Sequence, residues 1–389
     1  MRDSLRGAVR ESLANFRKML GVRIGIMLRH YDQHGGGVKV YTRQLLDALL
    51  ANSGSHEFVF LFNSPHLIGT YRNYLQVQEI SVQGKSVLWW DQVGVPWAVR
   101  KYGSNMLFNP KYSIPLAVHC PTAWVCHGLD WYVMPQASRW IDRLSHRYLV
   151  PRYAAKASAI IAVSEITRQH VMQFLKVPAD RVHTVYSGVS SAYRKRWDEA
   201  RLRTVRERYQ LPARFFLYSG AVYPPKNFTR LVQAYAKVGP SSGISLVIAG
   251  GENRFLSEHE LQEPARLGLG DWVKWCGWID TQTLPAFYQM AEALLLPSLF
   301  ESLGLPILEA MASGCPVVTS DRYGTKEIAA NAAVLVNPES VDAIEHGMRS
   351  VLDDPALRAR LIQAGMQRSM TFTWQRCAAQ VLEVLTACV

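Results

Sequence analysis

The segment PSLFESLGLPILEAMASGCPVVT, residues 297–319, contains a loop, a short helix and a strand. Pro306 fits the first turn of a helix, where its missing N–H costs nothing. Gly314 fits the left-handed position that ends one. The helix start follows a loop containing Gly304, and backbone amides feeding a helix N-terminus form an anion site suited to a diphosphate. Glu301 sits in that loop and Glu309 inside the helix. Glu309 lies among Ile307, Leu308, Ala310 and Met311, so a buried carboxylate there needs a partner, and sugar hydroxyls are good ones. The alternative has Glu301 exposed and Glu309 paired with a lysine or arginine.

Working outward, the segment belongs to a longer alternation. Short apolar runs recur at Phe215–Tyr218, Ser245–Ala249, Val273–Trp275, Ala293–Leu296, Pro316–Thr319 and Val334–Val336. Helical stretches near 228–238, 283–291, 306–313, 340–352 and 374–387 separate them. An earlier series has the same form: Val22–Leu28, Phe58–Phe62, Met106–Phe108, Ala123–Cys126, Ala159–Val163 and Val182–Val185 read as strands. Gly35-Gly36-Gly37 follows the first strand and precedes a helix with Val38, Tyr41, Leu45, Leu46 and Leu49 on one side. Ile166–Leu175 is a further helix. Strands alternating with helices imply parallel sheets covered on both faces. The expected fold class is α/β, with two doubly wound Rossmann-like domains facing across a cleft. Tyr193–Tyr209, rich in Arg and Glu, reads as a solvated helix at the junction. The expected boundaries are 22–200 and 201–373, and ligands should lie beyond the carboxyl ends of the strands.

The chain has 389 residues, of which 49% are apolar and 19% charged, which excludes a largely disordered protein. Lys and Arg number 43 against 31 Asp and Glu, a net charge of +12 that suggests an anionic partner. The six cysteines form no C-x-x-C, so neither a zinc knuckle nor a disulfide scaffold is indicated. No apolar run reaches the roughly 20 residues of a membrane span. Residues 1–21 form a basic amphipathic extension: Leu5, Val9, Leu13, Phe16 and Leu20 recur at helical spacing among Arg2, Arg6, Arg10, Arg17 and Lys18. Such a helix suits an anionic membrane surface. Packing on the protein's own surface, or a translation start near Met19, are the other readings.

The 297–319 segment closely resembles the E-x7-E signature of the large family 4 of retaining nucleotide-sugar glycosyltransferases, with Ser302-Leu303 where Gly-Phe is usual. The resemblance continues in order from about Val22 to the last helix. It implies the two-domain GT-B architecture, with residues 374–389 as a helix closing back on the N-terminal domain. Leu217–Asn227 (LYSGAVYPPKN) resembles the family's V-G-T-x-x-P-R-K-N, in which the lysine, here Lys226, binds the donor diphosphate. The usual arginine is absent, and Ala221 and Pro225 stand in its two places. Gly36 and Gly37 match the glycine loop that closes over the donor phosphates, and Tyr41 matches the helix after it, on the acceptor side. His127 resembles the family histidine that contacts the donor. The acid that usually follows it is displaced to Asp130, assigned to the acceptor side. Ser164 resembles a helix cap, and Ile279 lies in a segment whose backbone often reads the nucleotide base.

The resemblance assigns catalytic roles to Glu301, His127 and Lys226, and donor-binding roles to Gly36, Gly37, Lys226, Ser302, Leu303, Gly304, Glu309 and Ile279. It implies no cofactor and no metal, in keeping with the absence of a D-x-D motif. The donor would be a GDP- or UDP-sugar, with GDP-mannose first. The acceptor would be a lipid-linked or polysaccharide hydroxyl in cell-surface glycan synthesis. A cytoplasmic enzyme, peripheral on the inner membrane face through residues 1–20, is the matching location. Three other readings stand beside it. A dinucleotide enzyme lacks its G-x-G-x-x-G. A non-catalytic nucleotide- or nucleic-acid-binding protein would explain the charge, but no binding motif appears. A glycogen- or sucrose-synthase-like enzyme would share the fold.

Overall fold

The computed structural model describes residues 21–32, 36–84, 86–137, 140–250 and 258–389. The expected basic amphipathic extension, up to residue 20, and Gly35 lie outside the described residues.

Two parallel sheets organise the chain. The first has seven strands: β1 (Arg23–Met27), β2 (Glu57–Phe62), β3 (Val77–Ser81), β4 (Met106–Asn109), β5 (Thr122–Cys126), β6 (Ala159–Ala162) and β7 (Val182–Thr184), in the order β3-β2-β1-β4-β5-β6-β7. The second has six: β8 (Phe215–Ser219), β9 (Ser245–Ala249), β10 (Val273–Gly277), β11 (Leu294–Leu296), β12 (Val317–Ser320) and β13 (Val334–Val336), in the order β10-β9-β8-β11-β12-β13. Most strands are buried on both faces, as continuous runs such as FVFLF in β2 and FFLYS in β8 require. Each sheet reverses its winding once, between β1 and β4 and between β8 and β11. Those two switch points are where an open α/β sheet leaves a crevice.

The junction differs from expectation in one respect. Tyr193–Tyr209 is not a single helix. Ser191–Arg194 forms a 3-10 turn, and the helix starts at Glu199 with Asp198 accepting the Arg201 amide at 2.8 Å. Asp198 competes for that amide better than an arginine-rich turn can extend upstream. An expected boundary at 200/201 therefore falls in the first turn of this helix. The last helix, Trp374–Ala387, returns across the chain to pack on Gly37–Ala51 and β6. Val189 donates to the Phe372 carbonyl at 3.1 Å, and a Cβ on Gly188 would lie 2.2 Å from the Trp374 nitrogen. That contact holds the interdomain linker against the returning helix.

Candidate active site

The second switch point is built from two loops that hold each other. After β8 the chain turns through Pro224–Lys226, and the Pro225 carbonyl accepts the amides of Leu299 and Phe300 at 2.8 and 3.3 Å. Asn227, at φ 61°, donates to the carbonyls of Pro297 and Pro338 at 2.9 and 2.6 Å. The loop after β11 is thereby fixed beside the turn after β8. The result is an ion pair between Lys226 and Glu301, with side chains only 9% and 12% exposed. The exposed Glu301 of the alternative reading is not found. Ser298 adds a hydroxyl 3.4 Å from the same carboxylate oxygen.

Glu301 opens the way into the helix Leu305–Ala312. Gly304 is its N-cap at φ 94°, a left-handed position that glycine occupies without strain. The amides of Ser302, Leu303 and Gly304 enter no backbone hydrogen bond among the described residues. Gly314, at φ 72°, ends the helix, as its sequence position implies. Glu309 pairs with no cation among the described residues. Its Oε2 accepts the Tyr288 hydroxyl at 2.8 Å, and burial raises its pKa against the pull of that bond and of the Tyr193 hydroxyl. Tyr288 is thus the hydrogen-bond partner of this carboxylate, in a turn that is otherwise apolar.

The N-terminal domain meets this site with the loop after β5. His127 Nε2 bonds the Pro110 carbonyl at 2.7 Å. Its ring stands edge-on to Tyr41 at 4.7 Å. Burial, with the Lys111 charge adding to it, lowers the His127 pKa to about 4, so the ring is neutral at pH 7. The bond to a carbonyl makes Nε2 the protonated nitrogen and leaves Nδ1 as the acceptor. Gly128 follows at φ 138°, so close to Ser302 that a Cβ would lie 1.9 Å from its hydroxyl oxygen. Asp130 starts a short helical turn, and burial, helped by the Glu301 charge, raises its pKa. Tyr223 is shifted upward by burial and by the charges of Glu301 and Asp130, which puts all three in one neighbourhood.

Three of the expected residues have buried side chains. Tyr41 is 1% exposed. It lies wedged between His127 and Trp374, edge-on to both rings. Ile279 is 3% exposed, a core side chain, and Leu303 is buried at 6%. Any contact they make with a donor runs through their backbone. Gly36 and Gly37 stand at the start of the helix Gly37–Ala51 with open space where a Cβ would be.

Sequence reasoning missed the device that joins the domains. Glu327, in the helix Tyr323–Ala329, accepts the amides of Glu165 and Ile166 at 2.7 and 3.0 Å. Those amides open the helix Glu165–Leu175 in the other domain, so a C-terminal carboxylate neutralises an N-terminal helix end. Tyr186 donates to the same carboxylate at 2.7 Å. Ser164 caps that helix by accepting the Thr167 amide at 3.2 Å and donates its own proton to the Ser302 carbonyl. The Ser164 cap was legible. Nothing near Glu327 marks it, because its partners lie more than a hundred residues away in sequence.

Comparison with known proteins agrees with this geometry. Residues 35–193 match the family described as Glycosyltransferase Family 4, and residues 205–368 match Glycosyl transferases group 1. The chain is 27% identical over 293 residues to O-antigen chain mannosyltransferase B of Escherichia coli, covering 74% of this chain and 75% of that one. It is 27% identical over 272 residues to serotype-specific mannosyltransferase WbdA of Escherichia coli, covering 68% of this chain but only 33% of that longer protein. The structure of Anabaena HepE in complex with UDP and glucose superposes with a TM-score of 0.73 at 18% identity, covering 94% of this chain and all of that one. Two matched halves in the expected order, on two facing parallel sheets, have one meaning. The chain belongs to the family 4 (E-x7-E) type of glycosyltransferases, with the two-domain GT-B architecture.

Proposed function

We propose that this chain transfers a hexosyl unit from a nucleoside diphosphate sugar to a hydroxyl of a lipid-linked or polysaccharide acceptor in cell-surface glycan synthesis. The observation that carries the reading is the buried Lys226–Glu301 pair at the second switch point, with His127 and Asp130 arriving from the other domain. A lysine held only by one carboxylate exchanges it readily for a diphosphate, which brings more charge. Lys226 and the unpaired amides of Ser302–Gly304 then take the charge that builds on the leaving phosphate. Glu301, released, and the neutral His127 orient the donor sugar. Glu309 holds the ribose through the carboxylate oxygen that Tyr288 leaves free. We take transfer to proceed with retention and without a metal, through an oxocarbenium-like transition state, with domain closure excluding water.

The mannosyltransferase names of the relatives favour GDP-mannose as donor. The UDP and glucose held by HepE favour a UDP-hexose as the second reading. A cytoplasmic location, peripheral to the membrane through residues 1–20, fits such an acceptor. Among the described residues no helix is long and apolar enough to cross a membrane.

The test is thermal stabilisation by GDP, UDP, dTDP, ADP, CDP and NAD, with Lys226→Ala and Glu309→Ala as controls. A ligand at a hundred times its Kd adds about 2.7 kcal/mol. Stabilisation by one nucleoside diphosphate, lost in both variants, is the expected result. Equal behaviour of wild type and variants with every nucleotide would remove the donor site from this position.

A further inference from the structure

A cavity outside the donor site opens where the chain crosses between its two halves. Its volume is about 230 Å³, and Tyr186, Arg368, Thr371, Phe372, Arg376 and Gln380 line it. Tyr186 follows β7, the edge strand of the first sheet. β7 lies three strands from β4, about 14 Å at the usual spacing, so the cavity stands apart from the first switch point. Arg368 lies in the last turn of the helix Pro355–Ser369, and Arg376 in the first turn of Trp374–Ala387.

The two arginines are only partly engaged. Arg368 Nη2 donates to the Glu327 carbonyl at 2.7 Å, and its Nε donates to the Ile328 carbonyl. Those bonds fix the guanidinium and leave Nη1 uncommitted among the described residues. The Arg376 amide donates to the Thr373 hydroxyl at 3.2 Å, which caps the helix. Its guanidinium enters no ion pair and no hydrogen bond among the described residues. A cation in the first turn opposes the helix dipole, and no acidic residue in that turn offsets it. An anion shared by both arginines would answer this arrangement, and guanidinium forks match phosphate oxygens.

The rest of the wall is not suited to a bare anion. Phe372 and Tyr186 stand edge-on at 5.6 Å and give the cavity an aromatic side. Gln380 follows Arg376 by one helical turn and so shares its face. Thr371 donates its hydroxyl proton to the Arg368 carbonyl at 2.8 Å, which leaves its oxygen as an acceptor. An amide and a hydroxyl beside an aromatic side suit the hydroxyls and carbon face of a sugar. Pockets for drug-sized ligands start at about 300 Å³, so this smaller space suits one sugar ring with its phosphate.

We propose that this cavity binds a monophosphorylated hexose at a site separate from the donor, with the phosphate between Arg368 and Arg376 and the ring against Phe372 and Tyr186. The proposal goes beyond the transferase reading and does not rest on it.

The experiment is isothermal titration calorimetry on the full chain, with and without saturating GDP or UDP. The probes are glucose 6-phosphate, inorganic phosphate and, as neutral control, glucose. Glucose 6-phosphate should bind saturably at one site per chain, with nucleotide present or absent, while glucose does not bind. Its Kd should rise about tenfold or more in Arg376→Gln and in Gln380→Glu, the second through charge repulsion. Arg376→Lys, which keeps the charge, should retain more affinity than Arg376→Gln. Melting temperatures within a few degrees of wild type report that the variants fold. The proposal is overturned if glucose 6-phosphate does not bind, if both variants bind it as wild type does, or if nucleotide displaces it. Equal affinity for inorganic phosphate would overturn the assignment to a sugar. A chain that binds the sugar phosphate but no nucleotide would sink the transferase reading and leave this site standing.

Discussion

Lys226 and Glu301 hold each other's charge where little water reaches them, so neither can be removed alone without consequence. Lys226→Met should destabilise the chain by about 3 kcal/mol, because the carboxylate is left buried without its partner. Lys226→Met combined with Glu301→Gln should recover more than half of that loss and still bind no nucleotide. Urea unfolding of these two variants and of Glu301→Gln alone checks this, and strictly additive losses would show that the pair is uncoupled. His127 gives a pH dependence of defined sign. Its folded pKa of about 4 lies below the unfolded value of about 6.5. The neutral ring therefore contributes stability that is complete above about pH 6.5 and is lost as the pH falls through about 4. His127→Asn should lose less melting temperature than wild type between about pH 7 and about 4.5. Some slope remains in the variant, since burial also lowers the pKa values of His56, His146, His170 and His183.

Elements were legible in the sequence to the extent that burial left a periodic trace. β8, with five buried residues in a row, and the helix Phe228–Val238, with one apolar face, stand within a residue of where their patterns put them. β3 was not anticipated because it is a half-exposed edge strand, VQEIS, with no apolar run. The helix Trp140–Lys156 was missed for the opposite reason. Trp140, Ile141, Leu144 and Tyr148 are exposed, and Pro151 interrupts the pattern, so its apolar residues do not mark a core face. The E-x7-E segment was readable because Pro306, Gly304 and Gly314 act on their own neighbours. The Lys226–Glu301 pair joins positions 75 apart in sequence, and no local rule reports it. The helix Leu305–Ala312 offers the test at this scale. Gly304→Ala places a Cβ at φ 94°, 3.0 Å from Ile307 Cδ1. It should cost about 1–2 kcal/mol of stability. It should also lower kcat/KM by more than that strain would suggest, because the amides of the proposed donor site tilt with the helix start. Chemical denaturation and steady-state kinetics on the same sample separate the two effects.

At the scale of the whole molecule, the contacts between the two halves include Gly128 against Ser302, Ser164 against the Ser302 carbonyl, and Glu327 against a helix end. Gly128→Ala would bring a methyl within 1.9 Å of the Ser302 hydroxyl and 3.1 Å of its Cβ, so even with the hydroxyl turned away the contact between the domains loosens. We expect a larger radius of gyration by small-angle X-ray scattering. kcat should fall by about tenfold while nucleotide affinity, which the proposed donor site draws mainly from the C-terminal loops, changes little. An unchanged scattering profile with full activity would show that this contact does not govern closure. Glu327 has a consequence of another kind. The amides of Glu165 and Ile166 have this carboxylate as their acceptor, and it belongs to the other half of the protein. Whenever the halves separate, those two protons become available to deuterium, and whenever they rejoin the exchange stops. The molecule thus carries a built-in clock: two backbone positions whose isotope uptake, read one residue at a time, counts the fraction of its life spent open, with no label attached and no ligand added.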